Sequence, residues 1–161
     1  MNDSVASGSG ASGHKSIKVT ALREGTVIDH LAQGTALKVI QALEVEQDRT
    51  LLIGLNLESK KFGYKDLIKI EKKELSQEDI NKIALLSPGA TFSIIRDFKV
   101  LEKVFPELPE QVENLIKCTN PSCVTNKYET PSIFTVLNRD PVRVRCYYCE
   151  RAFMKEEVVF R

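Results

Sequence analysis

The stretch "RTLLIGLNLESKKFGYKDLIKIEK" (residues 49–72) decides the fold, because it holds two β-type segments on either side of a short turn. Residues 49–58 are rich in leucine and isoleucine, "SKK" follows as a turn, and residues 62–72 form a second strand-like run. Two such runs joined by a few turn residues predict a β-hairpin.

The segment before this hairpin predicts a strand and a helix. "IKVTAL" (17–22) alternates apolar and polar residues, as a half-buried strand does. "REGTVIDHLAQGT" (23–35) contains two glycines and is predicted to be a loop. In "TALKVIQALEV" (35–45) the apolar residues recur at the spacing of one helix face, at Ala36, Val39, Ile40 and Leu43.

The segment after the hairpin predicts a second helix and a last strand. "LSQEDINKIALLSPGA" (75–90) opens with Ser76 three residues before Asp79, a variant of the capping box, and Pro88-Gly89 ends it. "TFSIIRDFKVLEK" (91–103) has the composition of a strand. The order strand, helix, strand, strand, helix, strand predicts a ferredoxin-like βαββαβ domain with both helices on one face of its sheet.

The two ends of the chain differ from this unit. Residues 1–15 are rich in glycine, serine and alanine and are predicted to be a disordered tail. "FPELPEQVENLIK" (105–117) is interpreted as a stiff connector that becomes a short helical turn. Three short strands are predicted beyond it, at 131–137, 142–146 and 156–160. A piece this small cannot hold a core without a covalent or metal staple.

The four cysteines could supply that staple. They lie as C-x4-C and C-x2-C, separated by 22 residues, at Cys118, Cys123, Cys146 and Cys149. Two such pairs on facing turns can close a tetrahedron around Zn²⁺ and leave no coordination position for water, so the predicted site is structural. Iron at the same thiolates, a redox disulfide and four unrelated buried thiols are the alternatives.

These predictions divide the chain into residues 1–15 as a tail, 16–105 as the ferredoxin-like domain and 106–161 as a small all-β zinc-binding domain. The fold class is therefore α+β. Lys and Arg number 23 against 22 Asp and Glu, so no global field attracts nucleic acid. We expect a cytoplasmic protein, because the sequence contains neither an apolar run long enough for a membrane nor a secretory signal at its start.

The motifs of the sequence indicate a binding function more than a catalytic one. The sequence contains neither a P-loop nor a G-x-G-x-x-G motif, and its pattern suggests no catalytic nucleophile, so an enzyme is not expected. A few polar residues could form a local anion pocket: Asp29, His30, Lys65, Lys69 and Lys103. Lysines and a histidine suit phosphates and an aspartate suits ribose hydroxyls, although each of these residues could equally be a solvated surface group. A zinc ribbon that binds nucleic acid is the alternative.

Five stretches together resemble one family, the regulatory chain of aspartate carbamoyltransferase. They are "REGTVIDHL", "IGLNLESKKFGYKDLIKIE", "LSQEDINKIALLSPGAT", "LPEQVENLIKC" and the cysteine pattern, in this order from about residue 17 to residue 159. The resemblance implies a non-catalytic subunit in pyrimidine biosynthesis that binds CTP as inhibitor and ATP as activator at one site. It also implies one structural Zn²⁺ per chain, a zinc domain that docks on the catalytic chain, and a regulatory-chain homodimer.

The same resemblance implies roles for particular residues. Asp29 and Lys69 would hold the ribose and base, and His30 and Lys103 would face the phosphates. The remaining residues of the implied nucleotide site are Val19, Ala21, Leu22, Lys65, Ser93, Ile95, Phe98 and Val100. Ser93 stands where the family has Asn, and Phe98 stands where it has Tyr.

Overall fold

The computed structural model describes residues 20–46 and 48–161, which form two antiparallel sheets with few helices. The first sheet has five strands in the order β2-β3-β1-β4-β5. Its elements are β1 (Gly25–Leu31), α1 (Ala36–Leu43), β2 (Leu51–Ser59), β3 (Gly63–Glu71), α2 (Gln77–Leu86), β4 (Thr91–Arg96) and β5 (Lys99–Val104). The α+β class is confirmed, since β1 to β4 with the two helices follow the ferredoxin-like order and β5 is added at the edge.

The first strand is not where the sequence predicted it. The predicted strand 17–22 lies partly outside the described residues, and its last three residues, Thr20 to Leu22, are not in a strand. Strand β1 instead lies in the segment predicted as a loop. Its inward residues include a threonine, Thr26, whose hydroxyl donates to the Lys73 carbonyl at 2.6 Å. A register shift before Leu31 and the positive φ of His30 (58°) hide the alternation expected of a strand.

The predicted last strand, 91–103, is two strands in the structure. Asp97 and Phe98 both have positive φ, at 49° and 61°, and reverse the chain between β4 and β5. The Phe98 N–H donates to the Arg23 carbonyl at 3.1 Å and fixes the turn to the segment before β1. The prediction was wrong because Phe98 is not a residue type that indicates a left-handed turn.

The core of this unit lies between the sheet and the two helices. Its fully buried side chains include Ile28, Val39, Ile68, Ile83 and Phe92. The opposite face of the sheet is only partly covered, as the alternation of buried and half-buried residues along β3 indicates. Within the described residues, no helix is long and apolar enough to cross a membrane.

Helix α2 begins at a complete capping box. The Ser76 hydroxyl accepts from the Asp79 N–H at 3.1 Å, and the Asp79 carboxylate accepts from the Ser76 N–H at 3.0 Å. The prediction made from the sequence is confirmed at this position.

We expect Ser76→Ala to lower the free energy of unfolding by about 1 kcal/mol, because the N–H of Asp79 loses its acceptor. Urea denaturation of the variant and the parent chain measures this difference. Ser76→Asp restores a good cap and serves as the control. Equal losses for Ser76→Ala and Ser76→Asp would contradict a capping role.

The second sheet has four strands in the order β6-β7-β8-β9. Its elements are β6 (Gln111–Glu113), the short helix α3 (Val124–Lys127), β7 (Ile133–Arg139), β8 (Val142–Cys146), β9 (Ala152–Met154) and a 3-10 turn at Lys155–Glu157. The predicted strands 131–137 and 142–146 are confirmed. The helical turn predicted within 105–117 is wrong, because Gln111–Glu113 pairs with β7 as an edge strand. The strand predicted at 156–160 is also wrong, since the 3-10 turn takes its first residues.

The two sheets are joined by direct packing. Ala84 and Leu85 of α2 lie in the core of the second sheet. Phe160, near the end of the chain, packs against both cores, and the Lys155 ammonium donates to the Leu86 carbonyl at 3.2 Å. The chain's last residues therefore hold the second sheet against α2.

Candidate functional site

The four cysteines meet at one end of the second sheet. Cys118 and Cys123 flank a turn that follows β6, Cys146 ends β8, and Cys149 lies in the loop before β9. The turn between the first pair is closed by Asn120, whose side-chain carbonyl accepts from the Ser122 N–H at 3.0 Å. Three of the four thiols lie within the buried core of this domain.

The spacing of the sulfur atoms fits a tetrahedral metal. All four Sγ atoms lie within 4.8 Å of one another. Cys118 and Cys149 are 3.5 Å apart, and Cys123 and Cys146 are 3.8 Å apart. Four Zn–S bonds of about 2.3 Å at tetrahedral angles place the sulfurs about 3.8 Å apart. The thiols are thus gathered closely enough to bind one ion without rearrangement of the sheet.

Hydrogen bonds surround the sulfurs and fix their positions. The Thr125 hydroxyl lies 3.3 Å from the Cys123 sulfur, and the Asn120 N–H donates to the Cys118 sulfur at 3.5 Å. The Asn126 amide donates to the Cys118 and Asn120 carbonyls, both at 2.8 Å. Such outer contacts orient metal ligands and compensate part of the thiolate charge.

The thiols of the cluster differ in acidity. Burial opposes ionisation of Cys149, but hydrogen bonds from the Arg151 backbone and from neighbouring side chains outweigh it and lower the pKa of Cys149 to about 7. Burial raises the pKa of Cys118 and of Cys146. Because a metal binds thiolates, its entry must release protons from the cluster.

A second candidate site lies on the open face of the first sheet. Val27 in the central strand pairs with Lys69 on one side and with Ser93 on the other, and Ser93 pairs with Lys103. Directly paired residues of antiparallel strands project from the same face. The register therefore brings Lys69, Ser93 and Lys103, which are 24 and 10 residues apart in sequence, into one row across four strands.

Asp29 and His30 lie one step further along β1, within the strand and not after it as the sequence suggested. The Asp29 carboxylate contacts the Lys65 ammonium at 2.7 Å and accepts from the His30 N–H at 2.6 Å. The His30 Nδ1 atom lies 3.1 Å from the Thr91 hydroxyl. These contacts hold an anionic hydrogen-bond acceptor and an imidazole side by side on one side of the row, toward the end of β1.

The charge state of Asp29 follows from its partners. Partial burial opposes ionisation of this carboxyl group, but the hydrogen bonds from Lys65 and from the His30 N–H outweigh it, so the pKa of Asp29 is lowered. Asp29 is therefore a carboxylate at neutral pH and can accept from hydroxyl groups of a ligand.

The opposite side of the row, toward the start of β1, is apolar. Ile95 of β4 pairs with Gly25 on one side and Val100 on the other. Phe98 and Val100 are 65% and 60% exposed, whereas Ile95 is buried. The Lys69 ammonium donates to the Thr20 carbonyl at 2.5 Å, which holds the segment with Ala21 and Leu22 near the sheet. The remaining predicted site residue, Val19, lies outside the described residues.

The structure adds residues that the sequence did not suggest. Val27 lies in the middle of the row, Thr91 contacts the His30 ring, and the Phe62 ring lies 6.0 Å from it. Of these three, only Thr91 could have been found from the sequence, because it begins a strand beside the turn that ends α2. The contacts of Val27 and Phe62 depend on strand register, which the sequence did not indicate.

Comparison with known proteins gives matches along most of the chain. Residues 17–107 match the family model described as "Aspartate carbamoyltransferase regulatory chain, allosteric domain". Residues 110–159 match the model of the metal binding domain of the same chain. Similar proteins named aspartate carbamoyltransferase regulatory chain include that of Pyrococcus furiosus, 48% identical over 147 residues (89% of this chain and 96% of that protein). Another is that of Methanocaldococcus jannaschii, 45% identical over 144 residues (89% and 95%).

Proposed function

Because this chain belongs to the family of aspartate carbamoyltransferase regulatory chains, we propose that it is a non-catalytic subunit that binds CTP as inhibitor and ATP as activator at one site. It passes this signal to the catalytic trimers and thereby controls pyrimidine biosynthesis. One observation carries the proposal: the strand register gathers Lys69, Ser93 and Lys103 in one row on the open face of the first sheet.

The change from apolar residues on one side of this row to polar residues on the other suits a nucleotide. The base would lie on the apolar side, beside Ile95, Val100 and the segment that carries Leu22. The ribose would lie near Lys69 and Asp29, whose carboxylate is ionised. The phosphates would meet Lys103 and His30, which supply charge-assisted hydrogen bonds. Ser93 still offers a hydroxyl group where the family has an amide, so nucleotide binding is retained in this proposal.

The cysteine cluster would hold one Zn²⁺ per chain. With four thiolates the metal would be fully coordinated, and its contribution is to stabilise the small domain. We propose that this domain, residues 106–161, docks on the catalytic chain, while residues 16–105 bind the nucleotide and pair with a second regulatory chain. A cluster of free cysteines is typical of a reducing compartment, so a cytoplasmic location is proposed.

The coupling route in this proposal runs through the packing between the domains. Nucleotide binding can shift the catalytic chains only through differential affinity for two states, typically about 1–3 kcal/mol. Helix α2 connects the two domains, since it packs on the first sheet and places Ala84 and Leu85 in the core of the second sheet. Phe160 contacts both cores and completes this connection.

Calorimetry on the purified chain tests the proposal directly. CTP and ATP are titrated separately, and each is then titrated into chain saturated with the other. The proposal expects both to bind and to compete. GTP serves as a purine control. Failure of both CTP and ATP to bind would refute the nucleotide function, and binding without competition would refute the shared site.

We expect Phe160→Ala to reduce the effect of CTP on the assembled enzyme, because it removes the side chain that touches both cores. The change in half-saturating aspartate on addition of CTP should fall at least twofold, whereas CTP affinity of the isolated chain stays within twofold. Val159→Ala, at the adjacent and 56% exposed position, is the control. A full CTP response in the Phe160→Ala enzyme would exclude this route.

A further inference from the structure

The turn between β2 and β3 lies at the end of the sheet where Asp29 and His30 project. Ser59 pairs with Gly63, whose φ of 72° closes a three-residue loop of Lys60, Lys61 and Phe62. Strand β3 starts at this loop and runs antiparallel to β1, with Asp66 opposite Leu31. The loop therefore lies beyond His30, on the side of the row away from Ile95 and Val100.

Phe62 connects this turn to the candidate anion site. Its ring meets the His30 ring edge-on, with the centroids 6.0 Å apart and an angle of 66°. A methyl group added at Gly89 would lie 3.4 Å from the same ring, so Phe62 also packs against the chain between α2 and β4. The ring is 46% exposed and is held on two sides.

The ammonium group of Lys61 lies over the face of the Phe62 ring. Its ammonium nitrogen is 4.9 Å from the Phe62 ring centroid, within the range of a cation–π contact. The contact of His30 Nδ1 with the Thr91 hydroxyl leaves Nε2 as the ring nitrogen available to a ligand. One aromatic ring thus positions both an imidazole and an ammonium group at the outer end of the site.

We propose that Lys61 is a specificity residue that contacts the outermost phosphate of a bound nucleoside triphosphate, and that Phe62 positions it beside His30. This inference rests on the nucleotide function proposed above. Along β1 the row at Val27 comes first, Asp29 follows about 7 Å further on, and His30 and the turn come last. A phosphate chain that starts at the row therefore reaches Lys61 only with its terminal group. Lys61 would distinguish triphosphates from shorter nucleotides.

Calorimetry with CTP, CDP and CMP on the full chain tests this inference. We expect Lys61→Gln to weaken CTP binding about threefold to fivefold, a modest loss because the contact is exposed. CDP and CMP lack the terminal phosphate that Lys61 would contact, so their affinities should change less than about 1.5-fold, as is usual for an exposed charge. Lys60→Gln removes the same charge from the same turn and is the matched control; its ratio of CTP to CDP affinity should stay that of the parent.

Phe62→Leu tests the positioning step. It should lower the ratio of CTP to CDP affinity as Lys61→Gln does, and it should shift the imidazole proton resonances of His30, which lose the neighbouring ring. An unchanged ratio in Lys61→Gln, or equal losses in Lys60→Gln and Lys61→Gln, would overturn the inference while nucleotide binding stands. A parent chain that binds no CTP would instead overturn the proposed function, and the inference with it.

Discussion

Cys149→Ser is expected to abolish association with the catalytic chain while nucleotide binding stays within about threefold of the parent. The metal domain has strands of only three to seven residues, and a structural zinc site can contribute about 10–16 kcal/mol to such a domain. The thiols of Cys118, Cys123 and Cys146 are part of its core, so loss of the ion removes both the crosslink and the order of the turns around it. Serine cannot replace the thiolate as a soft ligand.

Co-purification with the catalytic trimer and metal analysis of the same sample measure this result. Ser122→Ala is the matched control, because Ser122 lies exposed in the turn of the first cysteine pair and its backbone N–H makes the local hydrogen bond. The control should keep both metal and partner. A metal-free Cys149→Ser chain that still assembles with an active transferase would show that the ion has no part in docking.

Lys103→Ala is expected to weaken CTP binding by about 1.5–3 kcal/mol, the loss typical of a hydrogen bond to a charged group. Lys103 pairs with Ser93 and ends the row of polar residues across the sheet. Its ammonium nitrogen lies 5.4 Å from the ring centroid of Phe105, so the side chain is already directed by a neighbour before ligand binds. Calorimetry should show the loss for CTP and ATP alike, because both carry the same phosphates.

Lys99→Ala provides the control for this prediction. Lys99 lies on the same strand, is exposed, and pairs with Arg96 near the turn, away from the row. Its removal changes the net charge equally but should alter CTP affinity less than about twofold, as is usual for an exposed charge. Equal effects of the two substitutions would mean that the general field of the surface, and not a contact from Lys103, attracts the nucleotide.

The sequence patterns that predicted the correct secondary structure share a physical basis. The hairpin at 49–72, the amphipathic helix at 35–45 and the capping box at Ser76 depend on residues close in sequence, and all three appear in the structure. Charge arguments also singled out Lys69 and Lys103, and the family resemblance implied Ser93, although the residues alone could not say that they meet. The failures lie where tertiary contacts override local preference, as at β1, where Thr26 is buried because Lys73 satisfies its hydroxyl.

The sequence by itself determined the order strand, helix, strand, strand, helix, strand of the first domain and the approach of the cysteines within each pair, because hydrophobic period and the C-x4-C and C-x2-C spacing act over a few residues. Only the tertiary structure decided which side chains share a face. Strand register sets that, and a shift by one residue would move every side chain to the other face. The pairing of Val27 with Lys69 and Ser93, and the contact of Phe62 with His30, come from this register, which is fixed by burial of Ile28, Ile68 and Phe92 on the helix side.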